Sequence, residues 1–95
     1  MAQNQVIIDL SETGWTQVTN AAVTTITFQA VQGNAYVRGT VGAAAPASTV
    51  LDGMLVPYSF GEVARTMTAL FTGAGINQIY ARAASPGARI YVDHA

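Results

Sequence analysis

The chain has 95 residues, a mass near 9.9 kDa and a formal net charge of −1. That length holds one domain, and area scaling gives roughly 5,200 Å² folded against about 14,000 Å² unfolded, enough for a thin core. Charged residues are 9% of the chain, where ~25% is usual, and the cations are Arg38, Arg65, Arg82 and Arg89, with no lysine.

Four scattered arginines make no basic field, so a nucleic-acid partner is not expected. The absence of cysteine excludes disulfides, thiolate zinc sites and iron–sulfur clusters. No apolar run approaches the ~20 residues of a membrane-spanning helix. The first residues, Met1 to Gln5, lack the basic and apolar parts of a signal peptide. The expectation is a chain made in the cytoplasm, with no membrane partner. Apolar residues reach 51%, and so little charge over so many Ala, Thr and Gly favours a surface covered by assembly, a homo-oligomer.

The β-forming residues come in short runs separated by turn residues, the pattern of a sandwich or barrel. Val6 to Leu10 reads as a first strand, ended by a turn at Ser11-Glu12-Thr13-Gly14. Trp15 to Thr19 reads as a second. Val23 to Ala30 is the clearest strand, with Ile26 and Phe28 on one face. Gln32-Gly33-Asn34 reads as a hairpin turn. Ala35 to Val41 alternates, placing Ala35, Val37 and Val41 inward and Tyr36 and Arg38 outward. Residues 42–49 have no periodicity, and Ala43, Ala45 and Pro46 mark an exposed loop or a docking arm.

Gly53 to Tyr58 reads as a short strand edged by Pro57. Ser59 and Glu62 have capping-box spacing, yet Val63, Arg65, Met67, Ala69 and Phe71 alternate as a strand. The reading adopted is a strand over 62–68, then one helical turn at 69–71. Gln78 to Ala83 and Ala88 to Asp93 complete the series around the Ser85-Pro86-Gly87 turn and read as an antiparallel hairpin. Such a hairpin sets Arg82 beside Tyr91 on one face. The expected fold is all-β: a single-domain antiparallel β-sandwich over 1–95, of about seven to eight short strands with one short helical turn. Its expected core is Ile7 or Ile8, Leu10, Trp15, Val18, Ile26, Phe28, Val37, Val41, Leu55, Leu70, Ile79, Ile90 and Val92.

Candidate chemistry is sparse. His94 adjoins Asp93, but neighbours on a strand point to opposite faces. The carboxylates Asp9, Glu12, Asp52, Glu62 and Asp93 show no spacing suited to a glycosidase pair or a calcium loop. Gly73 and Gly75 lack the Gly-Lys-Ser or Gly-Lys-Thr of a phosphate loop. Trp15, Tyr36, Tyr58, Tyr80 and Tyr91 suit either a sugar-stacking platform or interface anchors, and single aromatics in a sandwich are more often core or anchor. The expectation is a non-enzyme with no cofactor, metal or small-molecule substrate. Its expected interface residues are Tyr36, Arg38, Ala43, Ala45, Pro46, Tyr80, Arg82, Tyr91 and His94, with residues 1–6 as a further contact.

The order of segments in the chain carries a resemblance. Gly14-Trp15-Thr16-Gln17-Val18 is followed by Gly53-Met54-Leu55-Val56-Pro57, Gly61-Glu62 and Leu70-Phe71-Thr72-Gly73. Ile79 to Ala83 and Ala88 to Ala95 finish the series. In this the chain resembles small structural proteins encoded by tailed bacteriophages, over residues 14–95. Those chains often close on a Ser-His-Ala-like tripeptide; here Asp93 stands at the Ser position, before His94 and Ala95. The resemblance implies a β-sandwich virion protein on the capsid surface. The commonest role would be a decoration, or cement, protein, often trimeric, that bridges subunits of the major capsid protein. The alternative is a head-fibre, spike or tail component that binds a receptor or carbohydrate. The resemblance supplies no catalytic residues.

Overall fold

In the computed structural model, residues 3–94 are described. Eight strands run in chain order: β1 Gln3–Asp9, β2 Thr16–Gln17, β3 Thr25–Gln32, β4 Ala35–Thr40, β5 Met54–Val56, β6 Gly61–Thr66, β7 Gln78–Ala83 and β8 Arg89–His94. A four-residue helix, α1 (Met67–Leu70), lies between β6 and β7. The strands form two antiparallel four-stranded sheets, sheet A in the order β1-β8-β3-β6 and sheet B in the order β2-β7-β4-β5. This is the expected all-β sandwich.

The pairing has a simple origin. β1 pairs with β8, β2 with β7, β3 with β6 and β4 with β5. The chain is therefore one long two-stranded ribbon, doubled back at residues 41–53. Rolling that ribbon adds the pairs β3 with β8 and β4 with β7 and closes the two sheets. Eight strands so wound make a jelly roll.

One face of each sheet is buried against the other. Sheet A sends in Ile26, Phe28, Ala30, Ile90 and Val92; sheet B sends in Val37, Val56, Ile79 and Ala81. Val18, Val23 and Met67 close the end of the sandwich where β3 and β7 begin. Large side chains are mixed with alanines at 30 and 81, as facing layers at close packing require. The total accessible surface is 5042 Å², near the value that scaling gives.

Several expectations need correction. Gly33, at φ 64, makes a tight turn with Asn34, but β3 and β4 lie in different sheets, so the turn is a crossover and not a hairpin. β7 and β8 also lie in different sheets, which puts Arg82 and Tyr91 on opposite outer faces. Val41 is 63% exposed and Leu55 54% exposed; neither belongs to the core. Met54-Leu55-Val56 is an unbroken apolar run, and such a run does not reveal which residue points inward; here it is Val56. Ser59 caps no helix and sits in a turn at φ 72. The cap of α1 is Thr66, whose hydroxyl accepts from the Ala69 amide at 3.2 Å.

β6 is an edge strand with a bulge. Ile26 pairs with Arg65 and Phe28 with Glu62, so Val63 and Ala64 together oppose Thr27. Ala64 adopts φ 50, and its amide donates to Thr27 Oγ1 at 2.9 Å. At the start of β6, Gly61 lies flush on β3. A Cβ there would overlap the Phe28 carbonyl oxygen and stand 2.6 Å from the Gln29 Cα. Gly61→Ala is therefore expected to cost about 2–3 kcal/mol by overpacking against backbone. Gly14→Ala, where a Cβ meets nothing within 4 Å, is expected to stay within ~0.5 kcal/mol of the parent. Urea unfolding of both variants checks the contrast; equal stability would contradict the close approach.

Candidate interaction surface

The outer face of sheet B presents Tyr36 and Arg38 from β4, and Tyr80 and Arg82 from β7. Register sets Tyr36 opposite Arg82 and Arg38 opposite Tyr80. Alternation predicts this outward set, but the face is not bare. Residues 41–53 climb across it as a cover. The Tyr80 hydroxyl donates to the Ala43 carbonyl at 2.8 Å. Arg82 donates to the carbonyls of Ser48 (2.8 Å), Val50 (3.3 Å) and Glu12 (2.6 Å). Arg38 donates to the Asp52 carbonyl at 2.9 Å, and Trp15 Nε1 to that of Val50 at 2.9 Å.

Tyr80 and Arg82, expected on an open outer face, are thereby buried beneath the loop. Tyr36 and Arg38 remain half-buried. Ala43 and Ala45 are exposed and Pro46 half-buried, on a loop whose backbone is held rather than free. The Arg82 guanidinium solves a charge-burial problem. A cation out of water needs replacement for its hydration. Three carbonyl oxygens supply it, and the Trp15 ring lies 5.7 Å from the guanidinium carbon.

Sheet A's outer face is more open. Ile7 of β1, Tyr91 of β8 and Gln29 of β3 form one row across it. Tyr91 is half-buried and Ile7 is 47% exposed. His94, expected near a surface, points inward and is buried, while Asp93 faces out beside Thr27. The Asp93–His94 pair thus points to opposite faces, as alternation requires. Residues 1 and 2 of the expected N-terminal contact, and Ala95 of the final tripeptide, lie outside the described residues.

The carboxylates are dispersed. Asp9 accepts from Arg89 Nε at 2.7 Å, and Glu62 lies 3.2 Å from Arg65 Nε. Among the described residues, no three His, Cys, Asp or Glu side chains gather where they could share a metal. No helix among them is long and apolar enough to cross a membrane. The aromatic side chains do not form one platform. Trp15 packs beside Arg82, Tyr80 lies under the loop, and Tyr36 and Tyr91 face outward from different sheets.

The feature that sequence reasoning missed is the edge formed by β5, the turn 57–60 and β6. Leu55 (54% exposed), Tyr58 (61%), Phe60 (65%) and Val63 (77%) are strung along it. Between β5 and β6 lies a shallow groove of about 120 Å³, walled by Met54, Leu55, Val56, Pro57, Phe60 and Gly61. The signal was present as an apolar density over 54–63 too high for an edge. Of these residues only Leu55 was assigned to the core, and the edge was not anticipated, because neither the parity of β5 nor the edge position of β6 is written in the local pattern.

No protein-family model matches the chain, and neither a curated protein nor a solved structure is significantly similar to it. The surface must be read on its own chemistry.

The Arg82 contacts give a direct test. Arg82→Met removes three charge-assisted bonds and is expected to cost about 2–4 kcal/mol. Arg82→Lys keeps the charge but loses the planar fork, so it is expected to recover little. Limited proteolysis should cut both variants within residues 43–49 at least about tenfold faster than the parent if the loop is released by loss of ~1.4 kcal/mol or more. Unchanged cleavage would show that Arg82 does not hold the loop.

Proposed function

We propose that this chain is a non-enzymatic structural protein of a tailed-phage virion, a decoration protein that self-associates, as a trimer, and bridges subunits of the major capsid protein to stabilise the head. The observation that carries this reading is the apolar β5–β6 edge on a domain whose core is already complete. The largest apolar patch on a monomer is often a functional contact. Two further features support it. Eight-stranded jelly rolls recur in viral capsid and lectin domains, although a fold alone assigns no function. The segment order over 14–95 resembles such virion proteins, and the low charge suits a surface that ends up largely covered.

The mechanism is thermodynamic. A protein that binds only the assembled shell stabilises that state by mass action, by ~2.7 kcal/mol per site when its free concentration is a hundred times its Kd. Bridging multiplies this over every junction it occupies. A fibre, spike or tail module that binds a receptor or carbohydrate is the other reading of the resemblance. On sheet B, Tyr80 lies beneath the loop and Trp15 packs on Arg82, while Tyr91 stands on the other sheet, which weighs against a sugar platform.

Particles purified from the source should carry the protein in hundreds of copies, counted by quantitative mass spectrometry against the major capsid protein. Particles stripped of it should lose integrity at lower temperature and regain tolerance when the purified chain is added back. A count of a few copies moves the protein to a vertex, fibre or tail. Equal heat tolerance with and without it overturns the cement role.

A further inference from the structure

We infer that copies of this chain meet edge to edge over β5–β6, with Tyr58 of one copy seated in the groove between β5 and β6 of the next. The inference rests on the self-association proposed above and names the surface that performs it.

Three observations select a second copy as the occupant. The first is shape. The edge holds both halves of a contact: Tyr58 projects at 61% exposure, and the groove beside it is about 120 Å³. That volume is below the ~150 Å³ of a cavity that admits benzene, so the open groove takes the leading edge of the ring and not the whole side chain. Its walls are apolar or bare backbone, Leu55, Phe60 and Gly61 among them, apart from Glu62. An aromatic anchor entering a pocket is the usual form of an interface hot spot.

The second is charge. The charged side chains of β6 are Glu62 and Arg65, one of each sign, paired at 3.2 Å. Two copies of this edge therefore approach without net like-charge repulsion, which a surface of one sign would impose. The opposite side of the sandwich, at β1 and β2, carries Asp9 and Glu12 in or beside its strands and exposed Gln5 and Gln17. Among the described side chains of β1 and β2, Ile7 is the one large apolar residue left exposed.

The third is area. With ~150–200 Å² for side chains of this size, Leu55, Tyr58, Phe60 and Val63 expose on the order of 450 Å² of mostly apolar surface. A standard interface buries about 800 Å² per partner, with an apolar centre and a polar rim. Leu55 and Phe60 at the groove, with Tyr58 in the turn between them, supply part of such a centre, while Val63 borders it from the outer face of sheet A, near Gln29 and Tyr91. Continuation of the sheet across β6 is not the mode. The bulge at Ala64 breaks the ladder and blunts this edge against strand pairing. Contact is by side chains.

The test is sedimentation velocity on the purified full chain from about 1 to 100 µM. The parent is expected to form oligomers. Tyr58→Asp and Leu55→Arg, one on each half of the contact, are expected to weaken association by at least about 30-fold, the size of a hot-spot loss. Val41→Asp alters an equally exposed apolar residue away from the edge and should leave association unchanged. Thermal melts of all three variants should match the parent, since each residue is at the surface; a variant that melts early is replaced by Tyr58→Ser or Leu55→Thr. A monomeric parent at 100 µM overturns the inference, as does undiminished assembly of both edge variants. Binding of the same proteins to stripped particles is scored separately. If the parent is monomeric but Tyr58→Asp loses particle binding, the edge docks on the capsid and not on a second copy: the inference falls and the cement reading stands. If the chain assembles through the edge but binds no particle, the reverse holds.

Discussion

With so few charges and so short a chain, stability has to come from closing two sheets over one shared layer of side chains. That layer is made of Phe28, three isoleucines at 26, 79 and 90, several valines, and alanines at 30 and 81. Close packing of this kind tolerates little change in volume. It also dictates what lies outside it. Each strand of the core must offer one apolar face inward, so Tyr36, Arg38, Tyr80, Arg82 and Tyr91 are all driven outward. What happens to that outward set differs between the two sheets, and the difference organises the surface.

On sheet B the outer face acquires a second, smaller interior. The loop 41–53 spends its length crossing the strands, held by backbone carbonyls that point down at Arg82, Arg38, Tyr80 and Trp15. A loop with no periodicity and few large side chains has little apolar surface with which to bind. Its carbonyls are its strongest asset, and arginine with its five donors is suited to gather them. The same arrangement explains why Arg82 is tolerated at 6% exposure, with three backbone carbonyls in place of a carboxylate. Among the described residues sheet A has no such cover, and its edge beside β5 is left with the apolar surface that the loop does not reach.

The strands were legible because period-two alternation survives in β3, β4, β7 and β8. Gln78 to Ala83 coincides with β7, and Ile26, Phe28, Ile90 and Val92 point inward as their parity demands. The helical turn was legible to within two residues, since Met67 and Leu70 lie on the side that packs inward. Sheet membership was not legible. A tight turn such as Gly33-Asn34 serves a crossover as readily as a hairpin, and no local residue records which strand will lie alongside. The burial of Arg82 was equally hidden, because its three acceptors lie at least 32 positions away in the chain. The apolar edge was visible only as a surplus of hydrophobic residues, whose place outside the core emerges once β5 and β6 are known to end their sheets.

The rolled ribbon has a consequence for how the chain comes to be folded. β8 lies between β1 and β3 in sheet A, and β7 lies between β2 and β4 in sheet B. Each sheet is therefore divided until its latest-made member arrives. A nascent chain on the ribosome can pair β4 with β5 and β3 with β6, but β1 and β2 have only gaps beside them until β7 and β8 are made. Folding is then a single event after most of the chain has been synthesised, dominated by partners distant in sequence, and such topologies fold in milliseconds to seconds rather than microseconds. During that interval the inner faces of β1 to β4 stand open to one another and to neighbouring nascent chains. In a cell producing many copies at once, the yield of protein depends on how quickly β7 and β8 slot into place.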